Sequence, residues 1–521
     1  MRPIVLAVFL VACGGAIRGG PARGPGGAAM LEGTVTYERR LATERGLTLS
    51  TQTLPARRVV VEAIDRRGAV VASAATDDRG RFQLRLGTTE PVTARALSIS
   101  SADGFDVRVV RAPGDRRAHA VDVGGVVPGG QPIRLHAGLG GEEPGGAFHV
   151  LDRFLDGYRA VRSSLGVTLP PLIGLWRRGN DGSEAHTSFF RGESATVPGA
   201  FELQLMGGEL GREDASDSDH FDSGIILHEL GHFVSRVVGA DASIAGEHDR
   251  QRSMVPGVAF EEAFATFFAC AVLDDPLYVD TVGVEPAGSA RMREHMEDAG
   301  TDRMRGVGAE ATTFELLWDL ADGSGGLADR DGDGVAIGFD GVMRVIQSFE
   351  RSGDDYPYIG SFLVRARELG LVGDAQIVRL LKHPRDQVLS WPLAGADVWP
   401  TDLGLPASIE GKVDGVTDPQ PSGGAPDPHN GFDAVQTYRI QLPKAMRMSA
   451  ILRIAGSGRA ADREDLDLEL YDVNTDEIAS AATEGHEERI DRLLGAGTYV
   501  LYVRDGGSGN RASYRLDVAA R

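Results

Sequence analysis

The chain has 521 residues, 42% of them hydrophobic and 25% charged, which is enough apolar material for several cores and too much chain for one ordinary domain. Its 75 acidic side chains outnumber 54 Lys and Arg, for a formal net charge of −21. No cluster of basic residues offsets that surplus, so the composition argues against a nucleic-acid partner, whose phosphates need such clusters.

There are two cysteines, Cys13 and Cys270, so no disulfide framework beyond a single bridge is possible. Residues 1–12 carry one Arg and then an apolar run too short to cross a bilayer, the pattern of a targeting segment. Leu10-Val11-Ala12-Cys13 resembles a bacterial lipobox, in which the signal is cut before a cysteine that becomes lipidated. That resemblance implies a signal and lipobox over 1–13, a lipid on Cys13 and a Gly/Pro tether over 14–29. It places the protein in the bacterial cell envelope, at the outer membrane or the cell surface. Contact with a membrane is then through the anchor alone, since no other stretch reaches the roughly 18 apolar residues of a spanning helix.

From residue 30 to 137 the pattern is one of short strands: Leu31–Tyr37, Arg57–Ile64, Ala69–Thr76, Arg81–Leu86 and Val92–Ser100. Two of them are separated by Thr76-Asp77-Asp78-Arg79-Gly80-Arg81-Phe82. This turn resembles that of the carboxypeptidase regulatory-like, transthyretin-like β-sandwich, and the resemblance implies an accessory module without chemistry of its own. The Gly/Pro stretch Gly138–Gly146 closes it.

Over residues 147–400 the periodicity becomes helical, with helices expected at Phe148–Leu165, Ser223–Val238, Val258–Leu273, Thr312–Ala321 and Gly341–Glu350. Ala200–Met206 reads as a strand at the edge of a sheet shortly before the second of these helices. The informative segment is Ile225-Ile226-Leu227-His228-Glu229-Leu230-Gly231-His232-Phe233-Val234. Residues i and i+4 share a helix face, so His228 and His232 can reach one Zn²⁺, while Glu229 lies beside the metal as a general base. Asp222-Ser223 supplies an N-cap and Gly239 a stop. The apolar neighbours bury this helix on most sides, and charged groups there need paired or metal-bound partners.

A zinc site needs a third protein ligand. The metzincin extension would place Gly at 235 and His at 238, where this chain has Ser235 and Val238, so that class is excluded. Downstream, Glu261-Glu262-Ala263-Phe264-Ala265-Thr266 interrupts an otherwise apolar helix. Glu262-Ala263-Phe264-Ala265-Thr266 resembles the E-[GA]-x-A-T segment of the gluzincins, and that resemblance implies an α+β zincin domain, a peptidase, and Glu262 as the third ligand. The interval from His232 is longer than in the best-known members. Helix faces favour the same residue. Ala265, Thr266 and Ala269 lie on the face of Glu262 and let two helices approach, whereas Phe264 and Phe268 lie on the face of Glu261. Gly199-Ala200-Phe201-Glu202 resembles the aminopeptidase exopeptidase motif, which would have Glu202 grip a free α-amine; the plain alternative is the edge strand alone. A transition-state donor is expected among His295, Tyr278, Tyr356 and Tyr358. His186, His220 and His248 read as surface or supporting residues, and Cys270 as an inert core thiol.

Asp329-Arg330-Asp331-Gly332-Asp333-Gly334 has the D-x-D-x-D-G spacing of a calcium loop, with Asp340 at the twelfth position where Glu is usual. The alternative is an acidic Gly-rich turn. After a second linker, Val416–Asn430, the strand-like segments Asp465–Tyr471 and Gly497–Val503 resemble the bacterial pre-peptidase C-terminal domain, a β-sandwich over 405–521. The expected whole is sandwich, zincin and sandwich, a zinc peptidase acting on polypeptide. Two rivals stand beside it: a surface binding or scaffold lipoprotein with a degenerate zincin, and a zinc hydrolase of non-peptide bonds.

Overall fold

Alternation builds the first layer. In Ala29–Thr43 the side chains of Leu31, Val35 and Tyr37 turn inward while their neighbours face out, the two-residue period of a half-buried strand. The computed structural model describes residues 29–521 apart from 102–103, 116, 183–186, 241–242, 245–252, 298–303, 324–326, 328–331, 333, 350–355, 383–386, 414–434, 455–464, 474, 484 and 507–510. Strand Ala29–Thr43 pairs in parallel with Ile133–Ala137 and antiparallel with both Gly46–Pro55 and Arg81–Leu86. A second four-stranded sheet runs Val70–Ala75, Val60–Ile64, Val92–Leu97, Ala120–Val126. At the turn before Arg81, the Asp77 carboxylate accepts from the backbone N–H of Arg79 and Arg81, and Gly80 takes a φ of 71°.

This region does not end where its Gly/Pro stretch suggested. Val107–Val110 pairs in parallel with Leu172–Leu175, and Ile99–Ser100 pairs with Val107–Val110. A hairpin from within 30–137 therefore supplies two strands of the next sheet, ordered Phe189–Glu193, Phe201–Gln204, Leu172–Leu175, Val107–Val110, Ile99–Ser100. The Gly/Pro stretch is also partly helical. Helix α1, Pro144–Leu165, opens on Pro144 and closes on Gly166 in the left-handed region, whose N–H returns to the Arg162 carbonyl.

Phe201–Gln204 is an internal strand and not the edge. All four of its residues are buried, and Phe189–Glu193 covers its outer side antiparallel. Beneath the sheet lie α1 and α2, Ser223–Val238, followed by α3, Pro256–Leu273, and α4, Glu310–Ala321. Helix α3 is long and apolar enough to cross a membrane by length and composition, yet it packs between α2 and α4 in the core. Helix α5, Gly338–Ser348, adds to this layer, as do two helices the sequence did not announce, α6 (Ile359–Glu368) and α7 (Asp374–Leu380). A hairpin of Leu277–Val282 and Ser289–His295 follows α3.

The last region is two stacked sheets. One runs Thr401–Asp402, Val435–Leu442, Gly497–Asp505, Leu466–Asp472, Glu477–Ala481, and the other Ala407–Val413, Ala512–Ala520, Met446–Ile454, Glu487–Leu494. They enclose a core of their own that includes Ile440, Leu452, Leu468, Leu501 and Leu516. Strand Gly497–Asp505 is buried on both faces. Leu501 and Val503 point into the sandwich, while Val500 and Tyr502 join the core of the helical region.

Candidate metal centre

Helix α2 begins where its backbone does, at Asp222, but the capping side chain is spent elsewhere. The Asp222 carboxylate accepts from the Thr281 N–H at 2.7 Å and from its hydroxyl at 2.9 Å, binding the following hairpin to the helix start. At the other end Gly239 stops the helix without a left-handed φ. A Cβ there would meet the Ile346 carbonyl at 2.6 Å, so glycine is required for close approach. Within the helix, a Cβ on Gly231 would lie 2.7 Å from the Ala265 Cα of α3. The small residues Gly231 and Ala265 thus set the spacing of the two helices.

That spacing brings three donors together. Glu262 Oε2 lies 3.3 Å from His228 Nε2 and 3.3 Å from His232 Nε2, and the two Nε2 atoms are 3.1 Å apart. A tetrahedral zinc with bonds of about 2.0–2.1 Å to nitrogen and oxygen separates its ligand atoms by roughly 3.3–3.4 Å. The three donor atoms therefore stand at the spacing of one triangular face of such a site, and the donor set of two imidazoles and a carboxylate suits zinc. Thr266 Oγ1, one turn after Glu262, is 3.1 Å from His228 Nδ1, which leaves Nε2 facing the carboxylate. Burial alone would lower the His232 pKa. The carboxylate of Glu262, and then those of Glu229 and Glu261, outweigh it and raise the imidazole to about 9. Three carboxylates around the imidazoles make the site electronegative.

The structure does not bring Glu261 to the histidines. Its Oε1 accepts from Ser235 Oγ at 3.0 Å, one turn beyond His232. Glu229 is buried beside His228, with 7% of its surface exposed. The four candidate donors separate clearly. Tyr278 stacks obliquely on His228 with ring centroids 5.8 Å apart, and burial, then the charges of Asp280 and Glu229, keep its phenol protonated far above its ordinary range. Tyr356 and Tyr358 lie by the C-terminal region, donating to the backbone carbonyls of Asp472 and Asp397. His295 ends the second hairpin strand, opposite Leu277. Glu202 is held by Ser194 Oγ and by Arg191 Nε at 3.6 Å, an arrangement that occupies the carboxylate proposed for an α-amine.

His220 is not a surface residue. It is 3% exposed in a run of rings, 4.7 Å from Trp176 and 4.1 Å from Phe221 by centroid, with Nε2 3.3 Å from Glu143 Oε1. Cys270 is buried, and burial pushes its thiol well above the usual range. Cys13, His186, His248, Asp329, Asp331 and Asp333 lie outside the described residues. Asp340 is described, on the first turn of α5, where it accepts from Ser164 Oγ of α1. A further group of carboxylates, Asp217, Asp219 and Asp280, carries no sequence motif, and their oxygens lie within 4.8 Å of one another.

No protein-family model matches the chain, and no curated protein matches it. Among solved structures, the pre-peptidase C-terminal domain of a collagenase from Bacillus anthracis is 17% identical, covering 23% of this chain and 92% of that one at a TM-score of 0.17. The Yersinia pseudotuberculosis-derived mitogen is 13% identical over 22% of this chain and 83% of its own, at 0.16. A fucose binding module of Streptococcus pneumoniae is 16% identical over 21% and 89%, at 0.13. Each covers under a quarter of the chain, and at these TM-scores none carries an argument about activity.

Proposed function

We propose that this chain is a zinc-dependent peptidase of gluzincin type, with His228, His232 and Glu262 as ligands. The observation that carries the proposal is the convergence of three buried donor atoms to 3.1–3.3 Å on two helices packed through Gly231 and Ala265. When bound, zinc would supply Lewis acidity, lowering the pKa of a coordinated water. Glu229 is the group that takes and returns the proton, being carboxylate, adjacent to His228 and unneeded as a ligand. Tyr278, held neutral, is the donor best placed to hydrogen-bond an oxygen that gains charge.

An extended polypeptide would add to the sheet at Phe189–Glu193, whose outer side has no strand partner among the described residues. Arg191 and Ser194 engage the Glu202 carboxylate, which leaves it less free to hold a substrate α-amine and favours cleavage within a chain. The N-terminal and C-terminal sheets fit the carboxypeptidase regulatory-like and pre-peptidase C-terminal readings, and Cys13 the lipid anchor of an envelope protein. Cys13→Ser is expected to move the protein from the detergent phase to the aqueous phase; unchanged partitioning refutes the anchor. For the chemistry, Glu229→Gln is expected to keep zinc and fold while losing at least a hundred-fold in casein hydrolysis. Near wild-type casein hydrolysis refutes the role of Glu229, and an ester preference with intact casein refutes the substrate class.

A further inference from the structure

We infer that Asp217, Asp219 and Asp280 form a second cation site, for a hard divalent ion of calcium size, behind Tyr278. Asp217 and Asp219 stand on the segment leading into α2, and Asp280 on the strand Leu277–Val282, so the site bridges two elements. Their oxygens lie within 4.8 Å of one another, and Asp219 and Asp280 are only 5% and 7% exposed. Two carboxylates that deeply buried repel one another unless a positive charge lies between them.

The protein's own groups leave that charge short. Ser188 donates to Asp219. Arg291 donates to Asp217 and reaches Asp280 only at 4.0 Å, from a side chain half exposed at its strand. The Oδ1 atoms of Asp217 and Asp280 are buried and accept no hydrogen bond among the described residues. Nearby Asp222 adds a fourth carboxylate, satisfied by Thr281, so among the described residues four acids face one guanidinium. Oxygen donors that are numerous, anionic and irregularly placed suit Ca²⁺, which takes six to eight oxygens at about 2.3–2.6 Å, better than Mg²⁺, which demands a near-ideal octahedron.

Electrostatics point the same way. Burial and then the charge of Asp217 raise the Asp280 carboxyl to about 7, against a smaller lowering by Arg291. A raised carboxyl favours the folded state below its unfolded pKa, and that advantage is lost as pH rises towards 7. Without a cation the cluster is a fault line at neutral pH; with one it fixes the hairpin that carries Tyr278 against the start of the His228 helix. The backbone already joins the same elements, through Gly283 N–H to the Ser216 carbonyl and Val284 N–H to the Asp214 carbonyl.

The test uses the full purified chain at pH 7.5 with zinc present, titrated with CaCl₂ or MgCl₂ while the melting temperature is followed. Calcium is expected to raise the midpoint, magnesium to do so far less. Asp280→Asn and Asp219→Asn are each expected to weaken calcium at least ten-fold while leaving the calcium-free midpoint unchanged or higher, because repulsion is relieved. Asp331→Asn, in the other acidic stretch, is expected to keep the response. Arg291→Ala, which removes the competing cation, is expected to tighten calcium several-fold. Terbium bound here should also emit by transfer from Tyr278, and excess calcium should quench that signal. The inference is overturned if wild type shows no calcium response, or if the response survives in the Asp219→Asn/Asp280→Asn double variant. It is equally overturned if those variants melt lower without calcium, as members of a purely internal ion-pair network would.

Discussion

The two β-rich regions that flank the helices are attached in opposite ways. The N-terminal one is woven in: its strands 99–100 and 107–110 are hydrogen-bonded into the sheet above α1, and Phe105, Val107 and Val109 belong to the same core as α2 and α3. Side chains reinforce the join. Tyr37 donates to Asp152 of α1 at 2.8 Å, Arg57 bridges Asp152 and Asp156, and Arg39 Nη1 reaches the Ser223 hydroxyl at the first turn of α2. The C-terminal sandwich has a core of its own and touches the helices through one sheet face, with Val435, Val500 and Tyr502 against Tyr356 and Trp399. The first region shares backbone hydrogen bonds within a neighbouring sheet, whereas the second meets the helices through side chains and the contact of Tyr356 with the Asp472 carbonyl.

The largest expected effect follows from that difference. Deleting 29–137 should leave no folded, zinc-binding protein, since the sheet loses two strands and the core loses one wall. Deleting 407–521 should leave a cooperative unfolding transition and zinc binding within about two-fold, with a lower midpoint from the exposed Tyr356 and Trp399. Limited proteolysis and melting of the two truncations check this, and a folded product of the first would erase the distinction. Point changes sharpen it. Leu452→Ala, in the separate core, should cost the C-terminal sandwich about 2–5 kcal/mol without altering zinc affinity. Gly231→Ala should cost about 1–3 kcal/mol by overpacking and also weaken zinc, because its new Cβ meets Ala265 backbone and separates the ligand helices. Smaller still, Thr266→Val should keep the fold and lower zinc affinity about 10–100-fold through loss of the contact to His228 Nδ1, read by competition with a chelating dye.

Local pattern made parts of this arrangement readable in advance. The apolar periodicity and terminal residues frame Ser223–Val238, and the contrast of small and aromatic faces separates Glu262 from Glu261 before any coordinates. What stayed hidden depends on residues far apart in sequence. That 107–110 pairs with 172–175 is a long-range hydrogen-bonding choice, invisible in either short run. The edge position passed from 201–204 to 189–193 because Phe189-Phe190-Arg191-Gly192-Glu193 lacks the alternation that marks a strand, and only pairing makes it one. Asp280 joins Asp217 and Asp219 across the whole of α2 and α3, so no spacing rule links them, although the alternate acids at 217 and 219 were a visible hint. Helices α6 and α7, 10 and 7 residues long, are too short for periodicity to declare.

One face of α2 and one face of α3 are proposed to make a single zinc site. This is tested most directly by equilibrium dialysis against zinc of the wild-type chain, Glu262→Ala and Glu261→Ala, each shown folded by its melting curve. About one tightly held zinc per chain is expected in wild type and in Glu261→Ala, and loss of that zinc in Glu262→Ala. A wild-type chain that binds no zinc, or a pair in which Glu261→Ala loses it while Glu262→Ala retains it, would rule out this ligand set.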